Sequence, residues 1–525
     1  MAGAKISHGL PFLCSLVVLV SCGLTSSEAN AALPRDMQEL LKRLPEKRLS
    51  LELIVARAID SSDAFKSIQA RSLSKDVPLL QAQSPFDTRL SANVNAIRDR
   101  RESQSFVSPS RQDTNAASLE LASYFSSGTG LEFQLSHNKS NLDFPSFPAL
   151  SNFETRGTFS LSQNLWKDAF GQATRAGRKA GMLSSEANEM SIQDAVEEFV
   201  LGLTQLYYGA WLAQAQLEAA RASVTYRSRL LEITRLKLRR GTAEEPDLLQ
   251  VKSAHLNSQI QLAQASQDLG DRWRDLVVSL KLPSAWMSAD PAEIPVGLDM
   301  PMSELVRLCG SPDKLNAPPT ENAATRQAGL AAEAAALNSE RSISAAKPDL
   351  KFIASLSANG VDASFNPTFS ETFQLENPAW TLGLQFVLPF DSYAERAAAL
   401  TSVTSRIQAE SQASQARDSL RTGWIAGCMD LHRAEKSYEA RREAHQAQRR
   451  RATLEEERFK IGRAGILQVI QAADDATLAE VNLAISEVER RTIAWRLRRL
   501  TNKVKDYLEE VRKQPEIELT SEGRS

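Results

Sequence analysis

Two stretches of this chain, Leu165 to Gly241 and Leu388 to Gly462, each demand a helix longer than a globular core can use. In the first, Val196, Phe199, Leu203, Leu206, Ala210, Ala213, Leu217, Ala220 and Val224 advance by alternating steps of 3 and 4 residues, and Leu231 and Leu238 continue one of the two positions. That is a heptad seam, and its many small residues permit close helix–helix approach. Leu420, Trp424, Gly427, Leu431, Ala434 and Tyr438 repeat the pattern more weakly in the second stretch. At 1.5 Å per residue, about 65–70 helical residues reach roughly 100 Å. Such a helix is either a free coiled coil or part of the wall of a tube.

The two stretches are members of a duplication. "ETRGTFSLSQNLWKDAF" (154–170) parallels "NPAWTLGLQFVLPFDSY" (377–393), with Leu161 on Leu384 and Leu165 on Leu388. The long helical spans that follow are of nearly equal length. Past each glycine the match continues without a gap, so that Leu248, Leu249 and Gln250 fall on Val469, Ile470 and Gln471. Upstream, residues 49–96 and 322–358 both read as a helix, a proline (Pro85, Pro348) and an extended segment. Between proline and leucine anchor the first half spends about twice as much chain as the second. The excess includes "ASLELASYFSSGTGLEFQLSHN" (117–138), which reads as two strands around a Ser-Gly turn. "TRLSANVNAI", "LEFQLSHN" and "TLGLQFVLPF" alternate apolar with polar residues, as in a membrane barrel or a small soluble β-sandwich. Residues 102–116, 139–155 and 360–378, rich in Ser, Asn, Pro and Phe, read as exposed loops.

The N-terminus reads as an export signal. Lys5 and His8 precede the apolar run "LPFLCSLVVLV" (10–20), too short to span a bilayer as a helix. Leu19-Val20-Ser21-Cys22 resembles a bacterial lipobox, in which the Cys22 thiol is lipidated and becomes the first mature residue; Ala29-Asn30-Ala31 offers a competing cleavage site. No later run approaches the length of a transmembrane helix, so any membrane passage falls to strands. Cys309 and Cys428 are far apart in sequence. They pair only if the fold brings them together, and otherwise read as two buried thiols.

Taken in order, these elements resemble the TolC family of outer-membrane efflux proteins over residues 49–502. The most specific parts are "FSLSQNLW" and "LGLQFVLPF", where strand passes into long helix, and the runs that follow Gly241 and Gly462. The resemblance implies a mainly α fold with β. Long helical hairpins would form a periplasmic tunnel, and strands, two per half, would enter a transmembrane barrel shared by a homotrimer. It divides the chain into a lipoprotein-type signal (1–21), a first repeat (49–282), an inter-repeat segment contributing to a belt around the tunnel (283–320), a second repeat (321–502) and a C-terminal tail (503–525). The doubled strand region of the first half departs from the family pattern. Its extra pair would enlarge loops or fold outside the barrel.

The resemblance further implies a passive outer-membrane duct for tripartite efflux or type I secretion, bedded in outer-membrane lipid. Its partners would be a periplasmic adaptor and an inner-membrane pump. The adaptor would dock on the hairpin tips, here Arg240, Gly241 and Thr242, and Ile461, Gly462 and Arg463. The family's entrance gate maps to Asp247 and Gln250 in the first half and Gln468 and Gln471 in the second. Acidic rings found there in the family are mostly amides here, which carry no charge. Two other readings are a periplasmic adaptor lipoprotein and a non-channel coiled-coil envelope protein. An adaptor needs a single hairpin nested within β-rich domains, which the tandem hairpins disfavour.

The sequence offers no support for catalysis, a cofactor or a metal. The five histidines are scattered, and H-E-x-x-H, C-x-x-C, G-x-S-x-G and P-loop patterns are absent. A net charge of −2 with 24% charged residues argues against nucleic acid as a partner. The dense charge run at 440–458 interleaves Glu with Arg, as a solvated helix face does.

Overall fold

The computed structural model describes residues 48–100, 109–144, 148–289, 291–294, 296–298, 307, 309–311, 314–388 and 390–513. Cys22 and the Ala29-Asn30-Ala31 site lie outside the described residues.

The helical segment that opens the first half is divided into α1 (Leu51–Ser61), α2 (Asp63–Leu73) and α3 (Val77–Gln83). Ser62 breaks it by adopting an extended conformation between α1 and α2. Four strands follow: β1 (Arg89–Asp99), β2 (Arg111–Tyr124), β3 (Thr129–Asp143) and β4 (Leu150–Asn164). The hairpin of α4 (Gln172–Arg239) and α5 (Glu245–Ser279) completes the half. Between the halves lies a small ribbon, β5 (Gly310–Ser311) and β6 (Lys314–Leu315). The second half has α6 (Ala323–Ala345), β7 (Asp349–Asp362), α7 (Phe365–Phe373), β8 (Pro378–Val387), and the hairpin α8 (Tyr393–Lys460) and α9 (Ile466–Leu500). Helix α10 (Lys503–Lys513) ends the described chain.

The duplication is strictest in the helices: α4 and α8 have 68 residues each, α5 and α9 have 35 each. Leu203, Ala210, Ala213, Leu217 and Ala220 of the heptad seam are buried. Past Ala220 the seam keeps Leu231 buried, but most of the buried line shifts to Ser223, Arg227, Leu230 and Thr234. A straight α-helix drifts against a strict heptad, and the packed stripe follows the helix.

The six long strands form one sheet in the order β1-β2-β3-β4-β7-β8, each neighbouring pair antiparallel. The extra pair, expected to enlarge loops or fold outside the barrel, is part of this sheet. β2 and β3 lie inside it, paired along their lengths with β1, with each other and with β4. Residues 111–116, 139–143 and 150–155, expected in loops, are strand. So is the stretch from Gly360 to Asp362, and Phe365–Phe373 forms α7. That helix packs on β4 and β7: Thr368 Oγ1 lies 2.8 Å from Thr155 Oγ1, and the Thr372 hydroxyl donates to the Thr155 carbonyl at 2.9 Å.

The turn of the extra hairpin is held to the junction of β4 and α4. The Asn164 N–H donates to the Gly128 carbonyl (3.1 Å), Arg175 Nη1 to the Ser126 carbonyl (3.0 Å), and Gln163 Nε2 to the Ser127 carbonyl (3.0 Å). Gly171 sits against this turn with φ +78, and a Cβ there would lie 2.0 Å from the Ser126 oxygen. Only glycine fits.

Midway along the hairpins a core joins α1, α4, α5, Trp286, Ala289, Ile294 and Val296 from between the halves, Trp495 of α9 and α10. Leu49 and Val296 form a parallel bridge, and Tyr207 donates to the Leu49 carbonyl at 2.9 Å. The indole of Trp273 donates to the Trp286 carbonyl, and that of Trp495 to the Tyr208 hydroxyl. Val504, Tyr507, Leu508 and Val511 bury one face of α10 in this core. Residues 503–513 are therefore a packed helix rather than part of a tail, because their apolar residues recur at helical spacing.

Cys309 and Cys428 are joined in a disulfide, with Cα atoms 5.4 Å apart. This corrects the reading of two separate thiols. The bond pins the inter-repeat segment to α8 within a cluster of Trp424, Leu431 and Leu497. A stable disulfide suits an exported chain. It closes a loop of 119 residues, and loop entropy alone assigns such a bond on the order of 4–5 kcal/mol. The Cys309→Ala/Cys428→Ala variant is expected to unfold at a clearly lower temperature by circular dichroism; an unchanged transition would show that the bond contributes little.

Candidate functional site

Two features stand out, one at each end of the long helices: the wall formed by the sheet and the paired hairpin tips.

Along an antiparallel sheet, residues directly opposite one another share a face. Following the register from strand to strand, Leu90 is opposite Leu121, then Phe133, Phe159, Leu356 and Trp380. A neighbouring row holds Leu131, Leu161, Ala354 and Leu382, and Phe352 faces Leu384. These rows make one apolar band across the sheet. Leu90, Leu121, Phe133, Phe159, Leu356, Trp380, Leu382 and Leu384 are all exposed. The opposite face reads Ser91, Glu120, Gln134, Thr158 and Ser357 in one row, and Glu132, Ser160, Ser355 and Thr381 in another. Beyond the end covered by α7, a sheet that is apolar and exposed on one face and polar on the other has the pattern of a lipid-facing barrel wall around a wet lumen. The polar half of the alternation excludes a sandwich core on that side. No helix among the described residues is long and apolar enough to cross a membrane.

At the other end, each long helix stops on a left-handed glycine, Gly241 at φ +70 and Gly462 at φ +77. The Gly241 N–H donates to Leu238 and the Thr242 N–H to the Lys237 carbonyl; Gly462 and Arg463 donate likewise to Phe459 and Arg458. These are the same helix-closing turn made twice. Open space surrounds both glycines, so positive φ, not crowding, selects the residue. Arg240, Gly241, Thr242, Ile461, Gly462 and Arg463 are all exposed.

The structure brings the two tips together. Leu230, Leu231 and Val251 of the first hairpin pack with Phe459, Ile466 and Val469 of the second. Lys237 lies between them. Its Nζ donates to the Phe459 carbonyl and sits 3.9 Å from the centroid of the Phe459 ring, and burial pulls its ammonium below the usual lysine range. The buried Arg227 donates through Nη1 to the Ala254 carbonyl of α5 (2.7 Å) and through Nη2 to Asp474 of α9, so one guanidinium ties three helices. Burial holds its pKa below the ordinary arginine value. Tyr226 beside it is pushed up to about 12, first by burial and then by the Glu456 charge.

The four gate positions divide into two kinds. Asp247 and Gln468 are occupied with their own helix starts: Asp247 Oδ2 accepts from the Glu244 N–H and Gln468 Oε1 from the Gly465 N–H, both at 3.2 Å. Gln250 and Gln471, one turn on, are exposed. The acids further along α9 are already paired, Asp474 with Arg227 and Asp475 with Arg451 at 3.0 Å. Arg227 and Lys237 escaped the sequence reading. The signal for Arg227 was a charged residue standing in line with the packed stripe between Ala220 and Leu230.

Residues 131–280 match the family model described as outer membrane efflux protein. No curated protein matches the sequence. Among solved structures, the chain is similar to the outer membrane protein VceC of Vibrio cholerae (14% identity, 86% of this chain and 95% of that one, TM-score 0.62). It is also similar to the CmeC outer membrane channel of Campylobacter jejuni (12%, 97% and 99%, TM-score 0.61) and to the open state of the MtrE outer membrane channel of Neisseria gonorrhoeae (13%, 86% and 88%, TM-score 0.54). The family match covers most of β3, all of β4 and the first hairpin, and the likeness of fold carries the same architecture through the rest of the chain. Residues 131–280 thus carry the outer membrane efflux protein signature, and the chain as a whole has the TolC-like fold.

Proposed function

We propose that three copies of this chain form a passive export duct. The sheets build a barrel in the outer membrane, and the hairpins build a tunnel that descends through the periplasm. The observation that carries this reading is the uncovered apolar band of the six-stranded sheet, set on two helices of 68 residues each that end in twin tips. A periplasmic adaptor would dock on Arg240, Gly241, Thr242, Ile461, Gly462 and Arg463 and couple the duct to an inner-membrane pump of an efflux or type I secretion system. Two hairpins of equal arm length favour the duct over an adaptor, which needs one. Membrane fractionation tests it: a heat-sensitive trimer extracted by detergent from the outer membrane is expected, and an inner-membrane or monomeric product would overturn the proposal.

At the entrance, Gln250 and Gln471 would ring the axis with amides, and Asp474 and Asp475 are neutralised by arginines. Amides neither titrate nor attract multivalent cations. Single-channel conductance is therefore expected to change little with millimolar multivalent cations or between pH 5 and pH 8. Strong closure by such cations would show that acids line the constriction after all.

A further inference from the structure

We infer that the barrel contains all six strands of each copy. In three copies β1 of one would pair with β8 of the next and close a ring of eighteen strands, rather than the twelve of a barrel with two strands per half. The inference rests on the trimeric reading above and concerns what that trimer's wall is made of.

The first ground is parity. The six strands alternate in direction, so β1 and β8 run antiparallel to each other. A second copy placed beside the first therefore continues the alternation without a fault. An inserted pair preserves this and a single inserted strand would not. The second ground is continuity of the face. The apolar band runs from Leu90 on β1, through β2 and β3, to Trp380 on β8, with no polar row marking a limit. Strands peeled from the barrel would not need a lipid face.

The third ground is that both edges are unfinished. Leu90 and Val94 on β1 are 67% and 84% exposed, and Leu382 and Leu384 on β8 are 62% and 69% exposed. Between Leu90 and Ile97 on β1 and between Trp380 and Val387 on β8, neither edge has the prolines, bulges or charges that protect a free edge. In a bilayer an open edge leaves its amides without partners, which makes closure obligatory.

The helices end on the same two sides. α6 packs against both α4 and α8, and its repeat-equivalent, α1–α3, packs against α4. α1–α3 lead into β1, whereas α8 continues from β8. Leu73, Leu80, Leu400 and Ile407 lie exposed on these edges. A second copy that completes the sheet would lay its α8 beside α1–α3, as α8 lies beside α6 within one chain. The inserted turn is also fastened to the β4–α4 junction through Gly128, Ser126 and Gly171, which fixes β2 and β3 as wall.

Barrel diameter grows roughly linearly with strand number, so this ring would be about half again as wide as one of twelve strands. The outer-membrane segment would then be wide relative to the tunnel below, and the narrow point would lie in the helices.

Cysteine pairing in the full-length protein tests this. Leu90→Cys or Val94→Cys is combined with cysteine at Trp380, Leu382, Leu384 or Phe386, all on the same face. A second set uses Leu131→Cys or Leu135→Cys on β3 with the same β8 positions. Disulfide-linked dimers from at least one β1–β8 combination, and none from β3–β8, are expected in heat-sensitive trimers. Linkage of β3 to β8 in an intact trimer would establish twelve-strand closure and overturn the inference while leaving the duct reading in place. Loss of the trimer in the unmodified protein would instead count against the duct itself. Electron-microscopic end views of the unmodified trimer give a second reading that needs no variant. A ring about 1.5-fold wider than a twelve-stranded one is expected, and a twelve-strand diameter overturns the inference.

Discussion

Phe159→Arg is expected to remove the trimer from the outer membrane, while Thr158→Arg, its immediate neighbour, leaves assembly intact. Phe159 stands mid-band on β4 between Phe133 and Leu356, inside the sheet rather than at either edge, and its ring is exposed on the apolar face. Thr158 stands between Gln134 and Ser357 on the polar face. An arginine on the lipid face near the bilayer midplane costs about 2–4 kcal/mol, and a trimer incurs this three times. An arginine in a wet lumen incurs almost none of it. Heat-modifiable mobility of outer-membrane extracts reads both variants. Equal tolerance of the two would mean that the band is covered by protein rather than lipid, which would dismantle the barrel interpretation from its base.

The second large effect belongs to the latch between the tips. Asp474→Ala is expected to raise the conductance of the reconstituted duct and expose the tips to protease. The variant leaves the Arg227 guanidinium buried with only the Ala254 carbonyl to receive it. Stranding a buried polar group costs about 1–3 kcal/mol, and solvent around the half-exposed Asp474 places this case toward the lower end. Arg227→Met separates the charge from the contact. Replacing a buried ion by an apolar side chain of similar volume is often neutral or stabilising. Arg227→Met/Asp474→Ala should therefore recover protease resistance that Asp474→Ala lost. If Asp474→Ala conducts and digests like the unmodified protein, the contact does not hold the tips together.

Much of this architecture was legible in the sequence, for reasons that differ between its parts. The long helices announced themselves because a heptad seam carried over many turns has no other solution, and the tips because glycine ended each helix at nearly the same distance from its leucine anchor. Strand positions were legible from alternation. Their membership in a single sheet was not, since alternation gives a strand's faces and says nothing of its neighbours. The disulfide is of the same kind: nothing around Cys309 and Cys428 tells that a segment between the repeats folds back onto α8. Helix α7 had a signal in Phe365, Phe369 and Phe373, spaced four apart, but the Ser, Asn and Pro around them suggested a loop. At the entrance, residue type alone could not distinguish Asp247 and Gln468, engaged as helix caps, from Gln250 and Gln471, left free to face an axis.

The two halves agree to the residue in their hairpin helices, 68 with 68 and 35 with 35, yet give four strands and two to the sheet. The contrast fixes which changes in length such a chain can absorb. A ring closes on any even number of strands, so hairpins can be added to one half alone. The tips must arrive at one level, so the helices act as a pair of matched rods. Seven residues inserted into both arms of one hairpin would lower that tip by about 10 Å and leave the mouth uneven. The same insertion in all four arms would lower the mouth as a whole and keep it level. Length is thus a property of the pair in the periplasm, and of each half separately in the membrane.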